Sequence, residues 1–415
     1  MKLAFIRRRF AATGGAELYL DRLLKVLADS GHELHVFAEN WPGIWKAVTL
    51  HTVPLPGPRA VGPIQFSDAV KQKLAGQRFD CVFSLERTQG QDVYRAGDGV
   101  HRAWLQSRRR FSPIWKRAFV GLGAFHRNVL WLEAQTFDPA NTRHVIVNSE
   151  MVKREILQYF DFPAERIHLV RNGVDVARFQ GGDRTATRAR FGVKDDEFLL
   201  LFVGSAWERK GLRYVLAAMR GIGHGVGLQA VAHGFHQGLQ EFFKASREVI
   251  TMGWEAFRTR QSLRQRAPNP DEPPSIQADK VKLLVVGKGR RPFNIPSNVI
   301  FADTMTDVEN AYAAADLFVF PPIYEPSANV VVEALAAGLP VVTSARNGAS
   351  EIIEEDVNGS VIGDPSDVAG LLLAIAHWWR RRFYAPPVKV AELSLDRNVS
   401  ETLAILEMAA REKSK

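Results

Sequence analysis

Two glutamates, Glu325 and Glu333, lie eight positions apart in a segment whose other side chains are mostly small or apolar. If Asn329 opens a helix, Glu325 lies in the loop before it and Glu333 just past its first turn, so both carboxylates can face one ligand. A helix N-terminus presents free backbone N–H groups and a partial positive charge, which suit a diphosphate. Carboxylates accept hydrogen bonds from sugar and ribose hydroxyls. The pattern indicates a phosphorylated-sugar site, although a bare pair at this spacing is more often an ordinary surface feature.

Arg209 and Lys210 are adjacent cations that follow a predicted strand over 198–203 and a turn at Gly204. A helix is predicted over 211–219, so both cations come just before it. When a sugar nucleotide loses its nucleotide, negative charge concentrates on the departing phosphate. Arginine can grip that phosphate with two hydrogen bonds, and lysine adds a point charge. An isolated Arg-Lys pair is most often an ordinary surface feature, so this interpretation depends on the strand and glycine before it and on the family resemblance given below.

Gly14 and Gly15 follow the first predicted strand, 3–6, and precede a helix in which leucines recur at helical spacing from Leu18 to Leu27. A glycine pair lets the backbone approach a ligand closely. Taken alone the signal is weak, because many strand-to-helix turns are rich in glycine.

Strand and helix patterns alternate along the chain and restart near residue 198, which predicts two α/β domains with parallel sheets. We place the first domain at 1–170 and the second at 171–384, with an insertion at about 221–280. The proline-rich end of the insertion predicts mobility over 260–278. A helical segment at 385–415 could cross back to the first domain.

The string that begins at Glu325 and continues through an Ala-Gly-x-Pro-Val-Val tail resembles the retaining glycosyltransferases of family 4. That resemblance implies the GT-B fold, in which two Rossmann-like domains face each other across a cleft. It also implies transfer of a sugar from a nucleotide diphosphate-sugar with retained anomeric configuration. The family's usual Phe-Gly after Glu-Pro is replaced here by Ser327 and Ala328.

Roles for individual residues follow from the same resemblance. It implies that Glu325 contacts the donor sugar, Glu333 the ribose, and Arg209 and Lys210 the diphosphate. The predicted sugar-nucleotide site comprises Gly14, Gly15, Arg209, Lys210, Glu325, Asn329, Val330 and Glu333.

Two further segments match the family. Residues 170–175 look like its interdomain signature, and 286–289 match its glycine turn after a strand. Within the family, 92–98 and the basic stretch that follows look most like the lipopolysaccharide core glucosyltransferases. The implied acceptor is a saccharide or a lipid-linked saccharide, and the departing phosphate would help to deprotonate its hydroxyl. Asp98 and His101 lie on a candidate acceptor loop and could position its hydroxyl.

The net charge of +9 favours anionic partners, and residues 102–131 concentrate it. From Gly99 to Leu132 there are seven lysines and arginines, no acidic residue, and six interleaved tryptophans and phenylalanines. Ser112 and Pro113 predict the start of a helix. A basic, aromatic, amphipathic helix is typical of a membrane surface. The alternative is a basic acceptor cleft with core aromatics; nucleic acid is not expected, because no nucleic-acid module is recognisable.

Composition excludes several classes of protein. A single cysteine, Cys81, rules out a disulfide within the chain and lies in an apolar run typical of a core strand. No stretch approaches the length of a membrane span, so we expect a cytoplasmic protein at the inner face of the bacterial inner membrane. His224, His233 and His236 lack nearby carboxylate or thiol partners, so no metal site is predicted.

The sequence thus predicts an enzyme that needs no cofactor beyond its sugar-nucleotide donor, which we expect to be a UDP-sugar. Two alternatives remain open. One is a family 4 transferase that acts on exopolysaccharide or on a small acceptor. The other is a catalytically silent protein that binds sugar nucleotides or membrane surfaces.

Overall fold

The computed structural model describes residues 1–9, 15–41, 47–55, 61–223 and 277–414. They form two parallel β-sheets, each with helices packed on it. Apolar strand segments are almost completely buried, as sheets covered on both faces require.

The first sheet has seven strands in the order β3-β2-β1-β4-β5-β6-β7. Its strands are β1 Lys2–Ile6, β2 Glu33–Ala38, β3 Val48–Thr52, β4 Cys81–Ser84, β5 Gln91–Arg95, β6 Thr142–Val147 and β7 Ile167–Leu169. The helices are α1 Gly15–Asp29, α2 Gly62–Leu74, α3 His101–Phe111, α4 Ile114–Arg117, α5 Ala124–Thr136 and α6 Glu150–Tyr159. Cys81 is a free, fully buried thiol in β4, as expected.

The second sheet has six strands in the order β10-β9-β8-β11-β12-β13. Its strands are β8 Phe198–Val203, β9 Val281–Val286, β10 Val299–Asp303, β11 Leu317–Phe320, β12 Val341–Ser344 and β13 Gly359–Ile362. The helices are α7 Val176–Gln180, α8 Arg184–Arg190, α9 Trp207–Lys210, α10 Leu212–Gly223, α11 Val308–Ala314, α12 Asn329–Ala336, α13 Val368–Arg380 and α14 Val390–Leu393.

The last helix, α15 Leu395–Lys413, packs on the first sheet although it follows the second domain in sequence. Val399, Leu406 and Ala409 are buried in the core beneath β1 and β4. Near the end of the helix, Glu412 Oε2 lies 2.8 Å from His144 Nε2 of β6. The chain therefore crosses between the domains twice.

The helix predicted over 211–219 is wrong at its start. Gly211 has a φ of +81° and separates α9 from α10. A Cβ at Gly211 would lie 1.8 Å from the carbonyl oxygen of Pro321, so only glycine fits. Arg209 and Lys210 therefore end the short helix α9, and they still come just before α10, as predicted.

The basic stretch forms three short helices, α3 to α5, and not one helix that begins at Ser112. Ser112 follows the end of α3, and its extended backbone (ψ of 152°) is the conformation that a following proline favours. Pro113 then precedes the single turn of α4.

Most of the predicted insertion lies outside the described residues. Residues 221–223 complete α10, and 278–280 form a 3₁₀ turn before β9. The prediction of mobility over 260–278 lies outside the described residues except at its last two positions. The histidines His224, His233 and His236 also lie outside them. In the described ranges, no helix is both long and apolar enough to cross a membrane.

Candidate active site

The Arg-Lys pair and the two-glutamate segment, both predicted to bind the sugar nucleotide, meet at one edge of the second sheet. β8 and β11 are neighbouring parallel strands, so the segments that follow them emerge side by side. The segment after β8 carries Arg209, and the segment after β11 carries Glu325. Arg209 Nη1 lies 2.8 Å from Glu325 Oε2. The structure thus brings together two residues that are 116 positions apart in the chain and that were identified from separate motifs.

The loop around Glu325 is held by Asn347, a completely buried residue. Glu325 and Asn347 form an isolated parallel bridge. The Asn347 side-chain oxygen accepts hydrogen bonds from the N–H groups of Ala328 (3.2 Å) and Ala349 (3.1 Å). These bonds fix the backbone path at the point where Ser327 and Ala328 replace the family's Phe-Gly.

Helix α12 begins at Asn329, as predicted. Asn329 and Val330 form its first turn, where backbone N–H groups lack partners within the helix. Glu333 lies one turn further on and accepts a 2.7 Å hydrogen bond from the Tyr312 hydroxyl. Burial raises the pKa of Glu333, an effect that this hydrogen bond opposes.

Lys210 lies beside both carboxylates. Burial lowers the pKa of its ammonium, while the charges of Glu325 and Glu333 act in the opposite direction. A Cβ at Gly204 would lie 2.7 Å from Lys210 Cδ, so glycine leaves the space that the lysine occupies. Arg209, Lys210, Glu325 and Glu333 therefore form a single charged cluster next to the N-terminus of α12.

The glycine turn after β9 adjoins this cluster. A Cβ at Gly287 would lie 2.4 Å from the carbonyl oxygen of Gly204. The Lys288 N–H donates a 3.1 Å hydrogen bond to the hydroxyl of Ser205. The two glycine turns therefore pack directly against each other.

On the first domain, His101 is the first residue of α3 and belongs to a buried polar group that the sequence did not reveal. Its N–H donates to Glu133 Oε1 at 2.6 Å, and the Arg102 N–H donates to Glu133 Oε2 at 3.1 Å. Glu133, from α5, is completely buried and also pairs with Arg87 at 3.1 Å. No local spacing links these residues, and the one hint is that Glu133 is the first acidic residue after the basic stretch.

The His101 side chain is uncharged near neutral pH. Burial, followed by the nearby Arg87 and His126, lowers its pKa to about 3, and Asp98 opposes the shift. His101 Nε2 and His126 Nδ1 lie 3.0 Å apart and share a hydrogen bond. Asp98 is exposed in the turn before α3. The neutral imidazole and the exposed carboxylate remain the predicted acceptor-positioning pair.

Asn172, in the predicted interdomain signature, joins the domains beside α12. Its side-chain N–H group donates to Asn329 Oδ1 at 2.7 Å and to the Ser327 carbonyl at 3.1 Å. Its oxygen accepts a 2.9 Å hydrogen bond from Arg95 of β5. Gly15 begins α1, whereas Gly14 lies outside the described residues, so the glycine-pair role stays a prediction.

The aromatic residues of the basic stretch divide into two groups. Trp104 and Phe111 pack partly buried against the core of the second domain. Trp115 and Phe119 are 70% and 72% exposed, and Phe125 and Trp131 are exposed as well. Some aromatic residues of the basic stretch therefore pack against a core, and the others lie on the surface.

Two family models match the chain. "Glycosyltransferase Family 4" matches residues 13–178, and "Glycosyl transferases group 1" matches residues 271–380. Together they include well over half of the sequence.

Similar proteins agree with these models. The lipopolysaccharide glucosyltransferase WaaG of Escherichia coli K12 is 24% identical over 371 residues, which is 88% of this chain and 86% of that protein. A crystal structure of WaaG, described as a glycosyltransferase involved in lipopolysaccharide biosynthesis, superposes with a TM-score of 0.66 at 23% identity and covers 99% of this chain and 98% of its own. Anabaena Alr3699/HepE in complex with UDP and glucose gives a TM-score of 0.58 at 18% identity, with 100% of both chains covered.

The family matches, the two parallel sheets and the charged cluster at the edge of the second sheet point the same way. The chain is a glycosyltransferase that has the GT-B fold and belongs to family 4.

Proposed function

We propose that this glycosyltransferase moves a hexose, glucose in the first instance, from a UDP-sugar to a saccharide hydroxyl with retained anomeric configuration. The observation that carries the proposal is the 2.8 Å contact between Arg209 and Glu325, with Lys210 beside it. A bound donor offers each partner a replacement. Its diphosphate can take the place of the carboxylate at Arg209, and its sugar hydroxyls can take the place of the guanidinium at Glu325.

Charge development during transfer fits these residues. The bond from the anomeric carbon to the phosphate oxygen breaks, a bond to the acceptor oxygen forms on the same face, and the acceptor proton passes to the departing phosphate. Arg209 and Lys210 stabilise the charge that accumulates there, and Glu325 holds the sugar in orientation. Because the protein supplies two cations of its own, we propose that no divalent metal is needed.

The proposed acceptor is the heptose region of a lipopolysaccharide inner core. The support is the similarity to the E. coli enzyme, whose name states that it acts on lipopolysaccharide, together with the basic first domain. Asp98 and the neutral His101 would position the acceptor hydroxyl by hydrogen bonds.

We also propose that α3 to α5 dock the enzyme on an anionic membrane surface. Trp115 and Phe119 are mostly exposed, and Lys116 stacks on Trp115 with its ammonium 4.7 Å from the ring centroid. Each cation near an anionic bilayer contributes about 1 kcal/mol. Docking would bring the first domain to a lipid-linked acceptor.

The test is a thermal-shift screen of sugar nucleotides, followed by measurement of nucleotide release with candidate acceptors. A ligand at 100 times its Kd stabilises a protein by about 2.7 kcal/mol. We expect UDP-glucose to stabilise the protein more than ADP- or GDP-sugars, and acceptor to stimulate UDP release. Stabilisation without any release of UDP would instead identify a silent sugar-nucleotide binder.

A further inference from the structure

Tyr324 directly precedes Glu325 in the second domain, yet its side chain is buried in the first. Its hydroxyl accepts a 3.1 Å hydrogen bond from the Val100 N–H and donates a 2.7 Å hydrogen bond to Glu155 Oε2 of α6. The ring packs in the first-domain core cluster, and the residue is only 3% exposed. The residue next to the proposed sugar ligand is thus anchored across the domain boundary.

The partners of Tyr324 belong to the candidate acceptor loop. Val100 immediately precedes His101 and α3, and Gly99 lies one residue earlier with a φ of +67°. A Cβ at Gly99 would lie 2.5 Å from the Tyr324 hydroxyl and 2.7 Å from Pro326 Cγ. The acceptor loop is therefore in direct contact with the loop that carries Glu325.

The first domain and the interdomain segment each hold the Glu325 loop at one further point. The Ser149 hydroxyl donates a 2.7 Å hydrogen bond to the Pro326 carbonyl, and Asn172 donates to the Ser327 carbonyl at 3.1 Å. The residues on both sides of Glu325 are consequently fixed by groups of the other domain. The position of Glu325 depends on how the first domain is seated.

We infer that Tyr324 is a positioning residue that couples the acceptor loop at Asp98–His101 to Glu325. The inference rests on the proposed donor role of Glu325. Phenylalanine at this position would keep the packed ring but leave the buried Val100 N–H and the Glu155 carboxyl without their partner. Because coupling between two sites is reciprocal, occupation of the sugar position should also order the acceptor loop.

The experiment compares UDP with UDP-glucose on the full-length protein, its Tyr324→Phe variant and a control. Tyr159→Phe is the matched control, because the Tyr159 hydroxyl donates its hydrogen bond to Gln106 on α3, within the first domain. Calorimetry gives the two affinities. Hydrogen exchange measured by mass spectrometry follows a peptide that covers 98–111.

In the wild type and in Tyr159→Phe, we expect UDP-glucose, but not UDP, to slow exchange in that peptide. In Tyr324→Phe this protection is lost and UDP-glucose binds about tenfold more weakly, while UDP affinity stays unchanged. Unchanged protection and unchanged UDP-glucose affinity in Tyr324→Phe would overturn the inference, as would an equal loss of UDP affinity, which would indicate general damage. Failure of the wild type to bind UDP-glucose would instead overturn the proposed donor.

Ser149→Ala provides a second variant should Tyr324→Phe not fold. It releases the Pro326 carbonyl while leaving the Tyr324 hydroxyl in place. We expect weaker binding of UDP-glucose with unchanged binding of UDP. Wild-type affinity for both ligands would show that the first domain does not position the Glu325 loop.

Discussion

Arg209 and Glu325 hold one another at 2.8 Å, and each side chain is partly exposed to solvent. Solvent screening keeps the contribution of such a pair to folding small. The pair matters for the site rather than for folding, because it keeps a cation for a diphosphate next to a hydrogen-bond acceptor for sugar hydroxyls. Loss of either residue should therefore affect transfer far more than stability.

Glu325→Ala should nearly abolish kcat/KM, because it removes the side chain proposed to orient the donor sugar. The melting temperature should change little, since Arg209 can be solvated once its partner is gone. Glu208→Ala is the control, because Glu208 is an exposed acidic residue in α9 next to Arg209. Wild-type kcat/KM in Glu325→Ala would show that the two-glutamate motif has been assigned the wrong role.

Arg209→Ala should raise the activation barrier by about 2.7–4 kcal/mol, the usual cost of removing one donor that stabilises developing negative charge. The loss should appear in kcat, because the charge on the leaving phosphate is greatest in the transition state. Steady-state kinetics with varied donor separate kcat from KM. An increase in KM alone would place Arg209 in ground-state binding only.

Glu155 makes stability depend on pH. Burial raises its pKa to about 7, Glu133 adds to the shift, and Tyr324, Arg154 and Arg346 oppose it. Because the folded state holds the proton more tightly than the unfolded state, stability should fall as pH rises. From an unfolded pKa of 4.5, the loss between about pH 5.5 and about pH 8 is about 2 kcal/mol.

Glu155→Gln should remove that part of the pH dependence, because the amide does not titrate in this range and its oxygen can still accept from Tyr324. Relative to wild type, the variant should gain about 2 kcal/mol over the same interval. Denaturant titrations at the two pH values measure the difference. Parallel stability profiles for the two proteins would show that Glu155 keeps an ordinary pKa.

Helices α3 to α5 contribute both to the interface between the domains and to the proposed docking surface. Glu133 fixes the start of α3 by accepting from the His101 and Arg102 N–H groups, and Arg213 donates a 2.9 Å hydrogen bond to the Phe111 carbonyl at its end. Beyond that anchored helix, α4 and the start of α5 expose their aromatic residues. The anchored part belongs to the domain interface, and the exposed part is the proposed docking surface.

Vesicle co-sedimentation tests the docking surface. Arg110 pairs with Asp364 of the second domain at 2.7 Å, so we leave it unchanged and replace Arg108, Lys116 and Arg127 with glutamine. Binding to phosphatidylglycerol vesicles should exceed binding to phosphatidylcholine, decrease with salt and weaken in the triple variant.

A matched triple variant, with glutamine at the exposed Lys25, Lys71 and Lys73, serves as the control for lost charge. It should bind anionic vesicles as the wild type does. Equal loss in both variants would indicate a general charge effect, and no lipid preference would leave α3 to α5 as a lining for an anionic acceptor.

The features that could be predicted from the sequence are those that depend on a local pattern of residues. The start of α12 at Asn329 and the Arg-Lys pair followed from short motifs with a chemical reason. The break at Gly211 did not, because it is imposed by the Pro321 carbonyl, which lies far away in the chain. The roles of Glu133 and Tyr324 were missed for the same reason. Their hydrogen-bond partners come from other elements, and no periodic pattern in the sequence indicates such contacts.

The two domains are joined by side-chain contacts as well as by the connecting chain. Glu351 accepts hydrogen bonds from the Glu150 and Met151 N–H groups at the start of α6, and it pairs with Arg171 at 2.8 Å. Together with α15 on the first sheet, these contacts hold the two sheets facing each other. The acceptor loop is thereby kept in contact with the loop that carries Glu325.

The most direct test of the account is to follow the product formed from UDP-glucose and a heptose-containing core acceptor by proton NMR, with a chelator present. The account predicts equal amounts of UDP and an α-linked glucoside, because the donor linkage is α and retained, and it predicts undiminished activity without divalent metal. Formation of a β-glucoside, or loss of transfer on chelation that added metal restores, would contradict it.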